Sequence, residues 1–445
     1  MKILFVSLGC DKNLADTEMM IGLLQKKGYS FTDDEAEADI AVVNTCCFIG
    51  DAKEESIQTL LEMASLKTCG QLKALVAAGC LAQRYQEEIR KEIPEVDILV
   101  GTMAIDEIAA AVEEALAGKK ENHFRDLNCP PPVCRDRVVT TGGHYAFLKI
   151  AEGCDKRCTY CIIPHVRGSY RSIPMEELKR QAEELARGGV KELILVAQET
   201  TLYGVDLYGK KSLPELIRRL AGIKEIRWIR VLYCYPEEIT QELIETMALE
   251  PKLCHYLDIP IQHASNQVLR RMGRRTSKEE LCRSIEKLRE RIPDICLRTT
   301  LISGFPGETQ EDFEELYRFV NEMEFDRLGV FPYSQEEGTP AAGLPDQVLE
   351  AQKESRRDEL MELQQAISYE KAEAMVGRRL TAMIEGKVAD EDVYVARTYR
   401  DAPNVDGYLF INTKARLETG DFVEAVVTDF NEYDLIGELK DEFTE

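Results

Sequence analysis

Residues 150–167 read IAEGCDKRCTYCIIPHVR, with Cys154, Cys158 and Cys161 in the spacing C-x-x-x-C-x-x-C. Three thiolates this close on one loop suit three irons of a 4Fe–4S cluster and leave the fourth iron without a protein ligand. Clusters that only carry electrons are ordinarily held by four cysteines. The missing ligand therefore points to an iron reserved for an exchangeable group. Tyr160 precedes the last cysteine, where a ring can cover a flat ligand. A zinc site is the competing reading, with His165 as a fourth ligand. Zinc favours C-x-x-C pairs at both ends of its site; here the first interval is wrong and no second pair follows.

Outward from this loop, short apolar runs alternate with helical patterns. AFLKIAEG leads into the loop, and ELILVAQE, WIRVLYCYP, HYLDIPIQH, CLRTTLISGF and RLGVFPYS follow. Amphipathic stretches such as MEELKRQAEELARGG and TQEDFEELYRFVNEM separate them. Strand alternating with helix predicts a parallel α/β arrangement, here a partial (β/α)6 barrel. The cysteine loop then follows the first strand, on the face where such barrels keep their active sites. Other strand ends become candidates by the same logic: Gln198 and Glu199, Gln262 and His263, and the loop SGFPGE with Gly304, Pro306, Gly307 and Glu308. Glycines flanking a proline let a backbone approach a ligand closely. On its own, such a loop is an ordinary turn and His263 an ordinary structural histidine. Cys234, Cys254, Cys282 and Cys296 fall inside strand or helix patterns and read as core. A long helical pattern, 346–377, braces the barrel.

Upstream, KILFVSLG, DIAVVNT, KALVAAG and DILVG alternate with helical patterns and predict a second parallel sheet. Cys10, Cys46 and Cys80 each follow one of its strands. Parallel strands end on one edge, the edge where these folds bind ligands, so the three cysteines are expected to converge as a metal site. Each alone would read as a small buried hydrophobe. Cys47 reads as a neighbour and Cys69 as incidental. Residues 119–139 are polar and rich in proline, a connection in which Cys129 and Cys134 lack a partner pair.

The cysteine loop resembles that of the radical S-adenosylmethionine enzymes. SLGCDKN (7–13), NTCCFI (44–49), GCLAQRY (79–85), DIPIQHAS (258–265) and RTTLISGFPGE (298–308) resemble the methylthiotransferases within them. The resemblance covers nearly the whole chain. It implies two 4Fe–4S clusters, one on Cys154, Cys158 and Cys161 and a sulfur-carrying one on Cys10, Cys46 and Cys80. It also implies that the open iron of the first binds S-adenosylmethionine. The named strand ends, with Tyr160, would contact that cofactor. The implied reaction uses one S-adenosylmethionine to methylate sulfur and a second to generate a 5′-deoxyadenosyl radical. That radical abstracts hydrogen from the β-carbon of an aspartate in small-subunit ribosomal protein twelve. A reductase or flavodoxin-type protein would donate the electron. A tRNA adenosine methylthiotransferase and a non-catalytic iron–sulfur protein are the alternatives.

The last stretch, 376–442, holds five short alternating runs and predicts a small antiparallel β-barrel. It resembles the TRAM domain, an OB-like module that usually binds RNA. From Gly377 to Glu445 there are eight Lys and Arg against sixteen Asp and Glu. Such a surface repels phosphates, so RNA binding is disfavoured and a basic ribosomal protein is the fitting partner.

The chain has 445 residues, 44% hydrophobic, with net charge −24. Its length predicts about three domains, placed at 1–118, 140–375 and 376–442 around the 119–139 connection. No stretch approaches the ~20 apolar residues of a membrane helix. MKILFVSLGC reads as a first strand and not as a signal peptide. Fourteen cysteines without such a signal predict a reducing, cytoplasmic setting and metal ligation. No Ser–His–Asp arrangement, paired-carboxylate motif or P-loop stands out, as expected where a cofactor performs the hard step.

Overall fold

The computed structural model describes residues 1–133 and 136–441, so Cys134 and Glu442 lie outside it. The first sheet is built from β1 (Lys2–Ser7), β2 (Ser30–Thr32), β3 (Ile40–Thr45), β4 (Ala74–Gly79) and β5 (Ile98–Val100), all parallel, in the order β2-β1-β3-β4-β5. Strands β3 and β4 are buried along their whole length because helices cover both faces. On one face α1 (Asp11–Lys26) and α5 (Ile108–Leu116) bring Met19, Met20, Leu24, Ile108 and Val112; on the other α2 (Gly50–Thr68) brings Leu60 and Met63. Two short helices, α3 (Cys80–Arg84) and α4 (Gln86–Glu92), follow β4. The strand order reverses between β1 and β3, the kind of crevice where open parallel sheets bind ligands.

The connecting segment is tied down. His123 pairs with Val100 at the edge of β5, Arg125 bonds Glu107 at 2.7 Å and Asp106 at 3.0 Å, and Arg137 bonds the buried Glu18 at 2.7 Å. The polar residues that mark it as a linker in sequence are the ones that fasten it.

The central sheet has six parallel strands: β6 (Tyr145–Lys149), β9 (Glu192–Val196), β10 (Trp228–Val231), β11 (Leu253–Asp258), β12 (Cys296–Ser303) and β13 (Arg327–Pro332), in that spatial order. A two-stranded ribbon, β7 (Ala151–Glu152) with β8 (Arg171–Ser172), frames the cysteine loop, and α6 (Ile163–Arg167) closes it. Crossover helices α7 (Met175–Arg187), α8 (Val205–Tyr208), α9 (Leu213–Ala221), α10 (Gln241–Leu249), α11 (Asn266–Arg271), α12 (Lys278–Arg291) and α13 (Gln310–Met323) follow, with caps at Thr240, Ser277 and Thr309. These three accept from backbone N–H groups in the first turn, worth about 1 kcal/mol each. The outer face of the sheet buries Leu148, Leu195, Val231, Leu257 and Leu301 under the helices. The bracing helix α14 (Glu350–Glu373) lies against β13 and β12, with Gln364 bonding the Phe325 carbonyl at 2.8 Å.

The inner face is not left open. Phe147, Ile194, Val196, Trp228 and Tyr256 pack with Leu14 of α1 and with Met383, Ala402 and Phe422 of the terminal module. That module is a closed barrel of β14 (Arg379–Lys387), β15 (Val393–Thr398), β16 (Leu409–Asn412), β17 (Phe422–Phe430) and β18 (Leu435–Leu439). It departs from the wholly antiparallel expectation at one pairing: β16 and β18 are parallel. The chain returns through β17 before β18, so β18 runs in the same sense as β16.

The terminal barrel is held to the starts of the central strands by buried ion pairs. Glu192 accepts from Arg230 at 2.9 Å and from Arg397 at 2.7 Å, and all three side chains are fully buried. Arg327–Asp401 at 2.6 Å and Arg400–Asp326 at 2.7 Å continue the seam. No helix among the described residues is long and apolar enough to cross a membrane. Replacing Glu192 with Gln takes the carboxylate from two buried guanidiniums and leaves Arg230 with backbone carbonyls alone, while Arg397 keeps Glu385. We expect a loss of ~3–5 kcal/mol, read as a lower denaturant midpoint by circular dichroism; an unchanged midpoint would mean that the seam does not hold the barrel.

Candidate active site

The first cysteine trio is shaped by backbone contacts. Gly153, at φ 77°, lets the chain pass against Gly168 and Ser169, where any Cβ would collide with backbone. Cys154 N–H bonds the Gly168 carbonyl at 3.1 Å, and Thr159 N–H the Met272 carbonyl at 2.9 Å. Cys154 and Cys158 are buried. Burial pushes the Cys154 thiol up to about 12, and the nearby Cys158 sulfur adds to the rise. Cys161 is raised by burial and then by Cys158 and Cys154. The Cys154 and Cys161 thiolates, disfavoured by burial and by neighbouring sulfur, are matched to a positive centre, which reverses that penalty.

The second trio gathers at the switch point. Cys10 caps α1, Cys46 directly follows β3, and Cys80 opens α3 directly after β4. Gly9 is left-handed, and a Cβ there would sit 2.8 Å from the Cys46 sulfur; only glycine admits this approach. Ser56 clamps Cys46, its hydroxyl accepting from the Cys46 N–H at 2.9 Å and donating to the Cys46 carbonyl at 2.9 Å. Burial lifts the Cys46 thiol to about 12, reinforced by Cys80 and Cys10. Cys47 is buried beside the trio, and Cys69 is exposed at the far end of α2. No three His, Cys, Asp or Glu side chains among the described residues are set to chelate a single ion. A zinc ion needs its ligands within about 2.3 Å, whereas a four-iron cluster spreads them wider. Thiolate donors on both sets are the ligands that iron–sulfur clusters take.

Helix α6 joins the two sites. It starts two residues after Cys161 and ends at Arg167, and its Val166, with Ile162, packs against Cys47, Cys80 and Leu81. Arg167 is buried and donates to Asp16 at 2.9 Å, Glu152 at 3.1 Å and Asn13 Oδ1 at 2.6 Å. The Cys80 sulfur lies 3.9 Å from the same Asn13 oxygen. Lys149 also pairs with Asp16 and Glu152, so two cations face two carboxylates. The two cations hold the Glu152 carboxyl far below its usual range despite burial.

At the mouth of the barrel, Gln198 donates to Glu152 at 3.0 Å while its Oε1 stays unpartnered. Glu199 is wholly buried; burial raises it to about 7 against hydrogen bonds from Thr201 and the charge of Lys156, and its Oε2 has no partner. Arg274, stacked 4.2 Å over the Tyr235 ring, keeps Nε and Nη1 unpaired. Tyr235 places its hydroxyl 3.7 Å from the Cys158 sulfur. Tyr160 meets Phe305 edge to face at 6.4 Å. Unsatisfied buried groups of both signs beside the first trio are the environment a zwitterionic cofactor requires.

Other expected contacts differ. A Cβ at Gly304 would meet Lys353 and one at Gly307 would meet Arg271, so each glycine lets a protein side chain, from α14 or α11, pack against the loop. His263 and Glu308 are fully buried and face each other at 3.5 Å, and Glu308 is held by Arg356 at 2.8 Å. That network braces the loop around Pro306 against α14. Gln262 lies four residues beyond β11, left-handed at φ 70° and bridged to Leu301. Arg167, Arg274 and Tyr235 were not singled out by sequence, since each acts through partners distant in the chain. Asn13 at least lay inside SLGCDKN.

A carboxyl poised near 7 makes a pH prediction. Below that value Glu199 is neutral, and above it the carboxylate attracts a cationic ligand. Affinity for S-adenosylmethionine should rise as pH climbs from 6 to 8, measured by equilibrium dialysis, and Glu199→Gln should flatten the profile. A rise that survives in the variant would assign the titration elsewhere.

Three family models match: the radical SAM superfamily over residues 148–320, the uncharacterized protein family UPF0004 over 2–101, and the TRAM domain over 376–439. The chain is 61% identical over 437 residues to the ribosomal protein uS12 methylthiotransferase RimO of Lachnoclostridium phytofermentans, covering 98% of this chain and 99% of that protein. It is 49% identical to the protein of the same name from Acetivibrio thermocellus, covering 99% of each. Among solved structures, the radical S-adenosylmethionine methyltransferase TsrM from Kitasatospora setae shares the fold with a TM-score of 0.56 at 15% identity over 76% of each chain.

Proposed function

Because the chain belongs to the radical SAM methylthiotransferase family of these uS12-modifying relatives, we propose that it methylthiolates the β-carbon of an aspartate in ribosomal protein uS12. The observation that carries this reading is the pairing of two cysteine trios across α6, with Cys46, Cys80, Cys154 and Cys158 buried and Cys10 and Cys161 at the open side of their sites. Cys154, Cys158 and Cys161 would hold the cluster that binds S-adenosylmethionine, and Cys10, Cys46 and Cys80 the auxiliary one. When bound, these groups supply the electron that opens the sulfonium and the sulfur that is transferred.

The chain's own residues bind, orient and exclude water. Glu199 and Arg274 offer opposite charges for the ammonium and carboxylate of S-adenosylmethionine; Gln198 offers an acceptor. Tyr160, Phe305 and Tyr235 wall the site. No general base is assigned to the carbon, because an unactivated C–H bond has no useful acidity at neutral pH. Asp390, Glu391, Asp392 and Glu424 are exposed on the terminal barrel and favour a basic protein over RNA. A reductase or flavodoxin-type protein would supply electrons, and the cytoplasm is the setting that this substrate and these thiols require.

The test compares cells with and without the gene by mass spectrometry of digested uS12 and of tRNA nucleosides. Loss of the methylthio group from the uS12 aspartate is expected; loss from tRNA adenosine would overturn the substrate assignment. With purified protein handled anaerobically, Cys158→Ala should abolish both modification and 5′-deoxyadenosine. Cys46→Ala should abolish sulfur transfer yet retain cleavage, and intact methylthiolation in it would remove Cys46 from the site.

A further inference from the structure

Lys12 lies in the first turn of α1, two residues after Cys10. It is 7% exposed, and its Nζ stands 3.3 Å above the centroid of the Tyr233 ring. Among the described residues no carboxylate is within ion-pairing distance of it. Other buried lysines differ: Lys149 pairs with Asp16 and Glu152, and Lys353 with Glu350. The two carboxylates that bond Tyr233, Asp11 and Asp258, are occupied. Asp11 accepts from the Tyr233 hydroxyl at 3.2 Å; Asp258 accepts from Arg298 at 2.8 Å and from the Tyr233 N–H at 3.0 Å. Desolvating an ammonium without a counter-charge is costly, and an aromatic face repays only part of it.

Tyr233 is itself held in place. Its φ is 60°, unusual for a bulky residue, and its carbonyl accepts from the Thr200 N–H at 3.1 Å. Strained backbone that surrounding bonds enforce belongs with function. Two residues on, Tyr235 touches Cys158. The Tyr233–Tyr235 segment therefore reaches from the start of α1, beside Cys10, to the first trio. Lys12 stands on that segment, a buried cation in want of an anion on the ground between both sulfur sets.

We propose that Lys12 receives the carboxylate of the target aspartate, with Tyr233 as the platform that aims it. The inference rests on the uS12 reading and names the residue that selects its substrate. The carboxylate carbon is bonded directly to the β-carbon, so anchoring the one places the other between the two trios. An adenine base carries no anion and leaves Lys12 unpaired. A site built around a buried charge rejects such a ligand strongly.

The test uses the full-length, cluster-loaded enzyme and purified uS12. Lys12→Met should raise KM for uS12 by about tenfold or more, while iron content, S-adenosylmethionine affinity and uncoupled 5′-deoxyadenosine formation stay unchanged. Lys12→Arg should recover part of the loss. Because the Tyr233 ring is the contact that repays burial of the Lys12 ammonium and no carboxylate among the described residues pairs with it, Lys12→Met, which keeps an apolar chain over the ring, should not lower the melting temperature. The wild-type enzyme should discriminate against uS12 with the target aspartate changed to asparagine, and Lys12→Met should lose that discrimination. An unchanged KM, a loss of S-adenosylmethionine affinity, or a wild-type enzyme indifferent to the asparagine substitution would overturn the proposal. A wild-type enzyme that leaves uS12 unmodified would instead bring down the reading beneath it.

Discussion

The guanidinium of Arg167 is the most deeply buried of the polar ties that fasten the first domain to the second, among them Lys149–Asp16 and Arg84–Glu336. It reaches from the end of α6 to Asp16 and Asn13 on α1 and to Glu152 beside the cysteine loop. Because the pairs are buried, removing the cation would strand charge at a cost of about 3–5 kcal/mol. The tie sets α1 in register with the barrel. Cys10, Lys12 and Leu14 therefore each arrive at a definite place: at the second trio, over Tyr233 and inside the sheet. Chemistry between two sulfur sets needs that register more than it needs any single side chain at the mouth.

Much of this was legible in the residues. Apolar runs bounded by glycine and polar turns marked β6, β9, β10 and β11, because a strand buried on both faces has no polar alternation to hide it. The convergence of Cys46 and Cys80 on one sheet edge was legible in their places directly after β3 and β4. Other features carried no local signal. The three residues of β2 form no apolar run, yet they create the strand reversal at which the second trio sits. The glycines of SGFPGE signalled close approach correctly, but a sequence cannot say what approaches: here it is Lys353 and Arg271. Pairings such as Arg167 with Asp16 join residues 151 positions apart, beyond the reach of any spacing rule.

Charge counting also needed the structure to become meaningful. The acidic balance of the terminal barrel mixes two populations. Glu385, Asp401 and Asp406 face the central sheet, where arginines and Tyr256 engage them. Glu391, Glu418, Asp429 and Glu432 remain exposed. Only the second group is available to a partner, and it alone speaks to recognition.

The seam has a geometric consequence. Glu192, Arg298 and Arg327 lie at or near the starts of β9, β12 and β13, whereas the cysteine loop follows the end of β6. A strand advances about 3.3 Å per residue, and β6 and β9 have five residues each, so the seam and the cysteine loop stand on the order of 15 Å apart along the strands. A partner that touches both the exposed acids of the terminal barrel and the cysteine loop must span at least that length, farther than a lone nucleoside reaches.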